Sequence, residues 1–111
     1  MARADLIVEH TYRVPMVHQG YLEPHAAIAD VDPHGRITIW SSTQGSFPTR
    51  AEVADVLEIP EARIKVIPME CGGGFGGKIR ALVEPLAVLL SRATGRPVSL
   101  IMTRREELQA G

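Results

Sequence analysis

Five of the six residues from Gly72 to Gly77 are glycine, interrupted only by Phe75, with Cys71 before the run and Lys78 after it. Glycine lacks a Cβ and tolerates positive φ, so such a run lets backbone N–H groups approach a ligand at contact distance. Each glycine is destabilising by roughly 0.5–1 kcal/mol relative to Ala in regular structure. Concentrating that penalty in one loop points to a contact made there. Residues 64–69 upstream read as a short buried strand and residues 81–90 downstream as a helix, and a glycine loop between strand and helix suits an anion or a cofactor. Two phosphate motifs fit on paper. Gly72, Gly77 and Lys78 have the GxxxxGK spacing of a P-loop, but Ile79 stands where the Mg²⁺-binding Ser or Thr belongs. Gly72, Gly74 and Gly77 have the GxGxxG spacing of a dinucleotide fingerprint, but the next strand ends without the acidic residue that would hold a ribose. A tight turn without a ligand is the remaining structural reading.

Other side chains with chemical potential are fewer. Gln44 follows two hydroxyl residues and precedes Gly45 at a strand end, where its amide can offer both donor and acceptor. Ligand contact and loop hydrogen bonding are both open to it. Cys71 precedes a helix start that could stabilise a thiolate, yet no triad partner follows from spacing, and a small buried side chain is the expectation. Glu23, before Pro24, is expected to satisfy nearby backbone donors. His10, His18, His25 and His34 lack metal-ligand spacing and read as surface or hydrogen-bonding residues.

The elements that must position these groups follow from the pattern. Residues 5–14, with Leu6, Val8, Tyr12 and Val14, read as a first strand; residues 26–31 and 36–40 read as a second and third. Between the latter two, Asp32-Pro33-His34-Gly35 has explicit turn chemistry, with Pro presetting φ and Gly supplying positive φ. A helix over 46–57 is capped by Ser46, carries Pro48 in its first turn and points Val53, Val56 and Leu57 at the core. Gly95 and Pro97 stop the second helix, residues 98–103 form the last strand, and Arg104 to Glu107 begin another helix. The expected fold is thus an α/β or α+β domain of order β-β-β-α-β-α-β, a mixed sheet of about five strands with two helices. The second helix is apolar almost all round, and Pro85 within it should kink it or mark its true start. A helix of that kind is buried in a larger core, so the chain reads as a subdomain.

At 111 residues there is room for one domain at most. Twelve Lys and Arg against 13 Asp and Glu leave no basic face for nucleic acid, and aromatic residues are too scattered to form a base-stacking platform. The single cysteine rules out an internal disulfide framework. Neither a signal-peptide pattern nor an 18-residue apolar run is present, so no membrane is expected and the expected location is the cytoplasm.

Three segments, residues 18–26 (HQGYLEPHA), 42–44 (STQ) and 72–78 (GGGFGGK), occur in an order and spacing that resemble the molybdenum-binding subunit of the xanthine oxidase, aldehyde oxidase and carbon monoxide dehydrogenase family. Gly95-Arg96-Pro97-Val98 and Thr103-Arg104-Arg105-Glu106 continue the likeness, which covers residues 5–111. The resemblance implies an oxidoreductase that hydroxylates a carbon with oxygen from water, carries a molybdopterin-type molybdenum cofactor and passes electrons to iron–sulfur and flavin subunits. By the same resemblance Gln44 contacts an oxygen ligand of molybdenum, and Gly73, Gly74, Phe75 and Gly76 lie against the cofactor. Purine-oxidising members carry a glutamate where this chain has Ile79. An apolar side chain there implies a substrate pocket for an aldehyde, carbon monoxide or another heterocycle. The family's general base, a glutamate in a Gly-x-Gly-Glu segment, has no counterpart here, so no catalytic residue and no direct metal ligand are assigned. The expectation is a partial cofactor-binding domain, inactive alone, whose partner is the remainder of the large subunit or another chain. The alternative is a non-catalytic remnant acting as a protein-interaction module.

Overall fold

The computed structural model describes residues 4–110. Four strands form one mixed sheet: β1 (Ala26–Val31), β2 (Ile37–Ser41), β3 (Ile64–Pro68) and β4 (Val98–Ile101), in the spatial order β3-β2-β1-β4. β1 pairs antiparallel with β2 and β4, while β2 pairs parallel with β3. Helix α1 (Ser46–Leu57) and a single 3₁₀ turn, Glu61–Arg63, connect the parallel pair; α2 (Glu84–Thr94) carries the chain across to β4, and α3 (Arg104–Ala110) follows.

The hairpin forms as its turn residues require. Gly35 has φ of 77°, Gly35 N–H donates to the Asp32 carbonyl at 2.9 Å, and Asp32 Oδ1 accepts the N–H groups of His34 and Arg36. The alternation of β1 and β2 then puts Ala27, Ala29, Ile37 and Ile39 on one face, where they pack with Ile64, Val53, Ala54, Ala87 and Val88. Both long helices therefore cover the same side of the sheet.

Helix α2 begins at Glu84, not at residue 81, because Pro85 has no N–H to offer an interior turn and fits only the first one. Buried Glu84 ties this start down: Oε2 accepts from Leu82 N–H at 2.8 Å and Oε1 from the Ser41 hydroxyl at 2.5 Å. Glu84, Ala87, Val88 and Ser91 face the sheet, and Leu86, Leu89 and Leu90 stay part-exposed. The apolar outer face expected of this helix is present, and the described residues leave it uncovered.

Several expectations are corrected. Residues 5–14 form no strand. They run extended, with Leu6, Val8, Tyr12 and Val14 exposed, and pair with neither sheet edge. Their apolar alternation is real, but a strand needs a ladder partner, so the sheet has four strands rather than five. This arm stretches the molecule to 70 Å and its radius of gyration to 19.2 Å, against about 13 Å for a compact chain of 100 residues. In α1, Val56 points outward and Thr49 and Ala54 take the core positions. Ser46 makes no cap; instead Thr43 Oγ1 accepts from Gly45 N–H at 3.1 Å, and Thr49 Oγ1 donates to the Gly45 carbonyl.

Candidate functional site

The end of β2 continues into Ser42, Thr43 and Gln44, and this stretch clamps the far end of the glycine loop. The Lys78 carbonyl accepts from Gln44 N–H at 2.8 Å and from the Thr43 hydroxyl at 3.1 Å. Gln44 Oε1 in turn accepts the N–H groups of Gly76 at 3.0 Å and Lys78 at 3.2 Å. Two N–H donors can converge only on the amide oxygen, which fixes the carboxamide orientation and leaves Nε2, a pure donor, without an acceptor among the described residues. Both uses left open for Gln44 are thereby available at once, one through each end of the amide.

The loop closes through Gly77 N–H to the Gly74 carbonyl at 2.8 Å. The N–H groups of Gly73, Gly74 and Phe75 find no acceptor among the described residues. Gly73, Phe75 and Gly76 have φ of 98°, 50° and 90°. Glycine adopts such values without strain, whereas Phe75 does so against its preference by about 1 kcal/mol or more, a type of strain that clusters at ligand sites. Its ring is 75% exposed. At Gly74 a Cβ would lie 2.6 Å from Gln44 Cδ, so no other residue lets the amide come so close.

Beneath the loop lie charges that face inward. Glu23 Oε2 accepts from Gly72 N–H at 2.9 Å and from Lys78 Nζ at 2.6 Å. Lys78 is fully buried, with its ammonium 5.1 Å from the centroid of the Tyr21 ring. Burial opposes ionisation of Glu23, but the Lys78 and Gly72 hydrogen bonds outweigh it and hold the carboxyl below its ordinary value. Lys78 is thus a strut, unavailable to a phosphate, and the P-loop reading fails on geometry. The dinucleotide reading fails as well, because α2 starts at Glu84, well past the loop, and presents no helix terminus to it.

Tyr21 forms the floor. A Cβ at Gly77 would meet its Cε1 at 2.8 Å, and one at Gly73 would meet its Cβ at 3.1 Å. The Tyr21 hydroxyl donates to Glu107 Oε1, which also lies 2.7 Å from His25 Nδ1, while Glu107 Oε2 accepts His25 N–H at 2.7 Å. Burial works against the Glu107 carboxylate, yet these three donors keep its pKa below the ordinary value. Burial and then Glu107 push the Tyr21 phenol up to about 12.

Gln44, Gly73, Gly74, Phe75 and Gly76 come together in this one cluster, with Ile79 next along the chain and 43% exposed. Cys71, expected to be buried, is exposed, its thiol donating to the Gly73 carbonyl at 3.2 Å. His18 and His25 make hydrogen bonds, His10 and His34 are exposed, and no group of three or more potential metal ligands occurs among the described residues. The sequence assigns Glu84 and Glu107 no role, Tyr21 none beyond a place in the 18–26 segment, and Lys78 only that of a phosphate-binding lysine. The helix that carries Glu107 is expected from Arg104 onward, and the Thr103-x-x-Glu106 spacing is the capping signal that starts it. The free donors, three backbone N–H groups and one amide, fit an anionic, oxygen-rich group.

Comparison with known proteins agrees with this chemistry. The molybdopterin cofactor-binding domain family matches residues 1–111. The chain is 38% identical to the xanthine dehydrogenase molybdenum-binding subunit of Escherichia coli, covering 93% of this chain and 14% of that protein. It is 35% identical to the nicotinate dehydrogenase large molybdopterin subunit of Eubacterium barkeri, covering 94% of this chain and 24% of that one. Among solved structures, the carbon monoxide dehydrogenase of Oligotropha carboxidovorans superposes with a TM-score of 0.75 at 34% identity, over 82% of this chain and 12% of that one. Quinoline 2-oxidoreductase from Pseudomonas putida 86 does so with 0.73 at 37% identity, over 79% and 12%. The chain thus spans a quarter or less of the length of these relatives. Cofactor binding is favoured over a non-catalytic interaction module. The chain belongs to the molybdopterin cofactor-binding domain family, the molybdenum-cofactor-binding part of molybdenum hydroxylases.

Proposed function

We propose that residues 5–111 are one subdomain of a larger molybdenum-binding subunit and that the glycine loop with Gln44 is its contact with the cofactor. The observation that carries this reading is the divided amide of Gln44. Its oxygen is spent on Gly76 and Lys78 N–H, while its Nε2, like the N–H groups of Gly73, Gly74 and Phe75 in the same loop cluster, has no acceptor among the described residues. When bound, the molybdenum centre would supply the two-electron chemistry of carbon hydroxylation with oxygen from water. The chain's own part is to donate hydrogen bonds to anionic oxygen atoms, to lay the exposed Phe75 ring against the pterin, and to exclude water there.

Ile79 lines the substrate side in this reading. An apolar residue cannot accept an N–H from a purine, which favours an aldehyde, carbon monoxide or another heterocycle. The general base comes from elsewhere in the subunit, and iron–sulfur and flavin partners take the electrons. The exposed free Cys71 suits a reducing, cytoplasmic setting.

The test is a substitution that keeps the loop clamp while altering the donor. In the complete subunit, Gln44→Glu keeps an oxygen for Gly76 and Lys78 N–H but replaces the free NH₂ by a second oxygen, so donation becomes repulsion. Molybdenum per subunit should fall at least severalfold, with the melting temperature little changed. Wild-type occupancy in that variant would overturn the assignment of Gln44.

A further inference from the structure

The three donors and the amide are useful only if the loop is held still, and the loop's own residues cannot do that. Glycine is the least constrained residue type, and residues 71–83 contain no regular element. Support comes from two sides. Gln44 and Thr43 hold the outer end through Gly76 and Lys78. The inner side rests on Tyr21, whose ring leaves no room for a Cβ at Gly77 and whose own Cβ leaves little at Gly73. Tyr21 is itself part of an irregular segment; its buried ring packs among His18, His25 and the Lys78 ammonium, and its hydroxyl adds a directional tether. That hydroxyl ends on Glu107, a fully buried carboxylate on α3.

Glu107 is well placed for this duty. It accepts three hydrogen bonds, from the Tyr21 hydroxyl, His25 N–H and His25 Nδ1, so its position relative to β1 is fixed at several points. The helix that carries it is tied down twice. Thr103 N–H and hydroxyl both donate to Glu106 Oε2, at 2.7 and 2.8 Å, and the Arg104 guanidinium donates to the Leu22 carbonyl. Residues 21–25 are thereby gripped from α3, and through them the underside of the loop.

We propose that Glu107 and Tyr21 form a positioning pair for the glycine loop: the carboxylate fixes the phenol, and the phenol ring fixes the backbone that faces the cofactor. The inference rests on the cofactor reading for its purpose, but not for its mechanics. Neither residue need touch the cofactor; both act through the loop.

Amide hydrogen exchange in the complete subunit, prepared without cofactor, reads the mechanics directly. Tyr21→Phe and Glu107→Gln should each speed exchange at the hydrogen-bonded amides of the loop, Gly72, Gly76, Gly77 and Lys78, by roughly threefold or more. The double variant should add little to Glu107→Gln, because Tyr21→Phe removes only the bond the two residues share, whereas Glu107→Gln also disturbs the His25 contacts. Val88→Ala, a core truncation remote from the loop, supplies the comparison at matched loss of melting temperature. It should leave the same loop amides as slow relative to the core as in wild type. In cofactor-loaded preparations, molybdenum per subunit should fall in the two link variants and not in Val88→Ala. Equal loop exchange in all three variants would overturn the pairing. Should Glu107→Gln fail to fold, Tyr21→Phe, which loses one oxygen atom, carries the test alone. A wild-type subunit that holds no molybdenum would sink the cofactor reading while leaving the exchange result to decide the pairing.

Discussion

At Gly74 the absent side chain is what lets the loop backbone and the Gln44 amide meet. An alanine there would drive its Cβ into the Gln44 amide, so Gly74→Ala must push Gln44 off Gly76 and Lys78 N–H. We expect a destabilisation of about 1–3 kcal/mol, typical of overpacking, and loss of cofactor from the complete subunit. Thermal melting and metal content check the two effects separately. Phe75 makes the opposite case. It sits at φ of 50° with its ring in solvent, so the fold gains nothing from the side chain that strains it. Phe75→Gly should therefore raise stability by about 0.5–1 kcal/mol, or a few degrees in melting temperature, while weakening cofactor retention. A variant that both melts higher and binds better would refute a role for the ring.

At the scale of elements, α3 is short, and its junction with β1 should respond to pH at both ends. Glu107 has a lowered pKa in the fold, so its ionised form stabilises above the ordinary carboxylate range, and that contribution fades as pH falls through the lowered value. Tyr21 is raised from 10.0 to about 12, so the folded state holds its proton while the unfolded state releases it. The stability it brings is whole below pH 10 and fades between about 10 and 12, with a total on the order of 2–3 kcal/mol. Tyr21→Phe should flatten the alkaline limb of a stability–pH curve and Glu107→Gln the acid limb. The local parts of this fold were readable in order: the Asp32–Gly35 turn, the glycine loop and the stop at Gly95 each depend on residues a few positions apart. Pro85 fixed a helix start that apolar periodicity alone placed three residues early. Glu107 was not readable, because its meaning lies in Tyr21 and His25, far back along the chain. The arm over residues 5–14 was misread for a related reason: alternation reports which faces want burial, not whether a partner strand is at hand.

The whole molecule has one finished face and one unfinished one. Helices α1 and α2 cover the inner face of the sheet, while a cavity of about 510 Å³ lies open on the other, lined by Ile28, Trp40, Met69 and Ile101 with Asp30 and Glu70 around it. Leu86, Leu89 and Leu90 add a second uncovered apolar patch on α2. Expressed alone, residues 1–111 should self-associate, since contiguous exposed apolar surface of this kind drives association. Light scattering would detect it, and Leu86→Glu with Leu89→Glu should reduce it; a monodisperse monomer at high concentration would count against a covering layer. The bond from Tyr21 to Glu107 joins residues 86 apart. Closing a chain segment of that length forfeits about 4 kcal/mol of loop entropy, which must be recovered from contacts already in place. The Tyr21 floor of the glycine loop can therefore be set only after the sheet has brought both ends together, which puts it late in folding. Under the cofactor reading proposed above, apoprotein caught before that step would present a loose, open loop, with the floor beneath it not yet locked by α3.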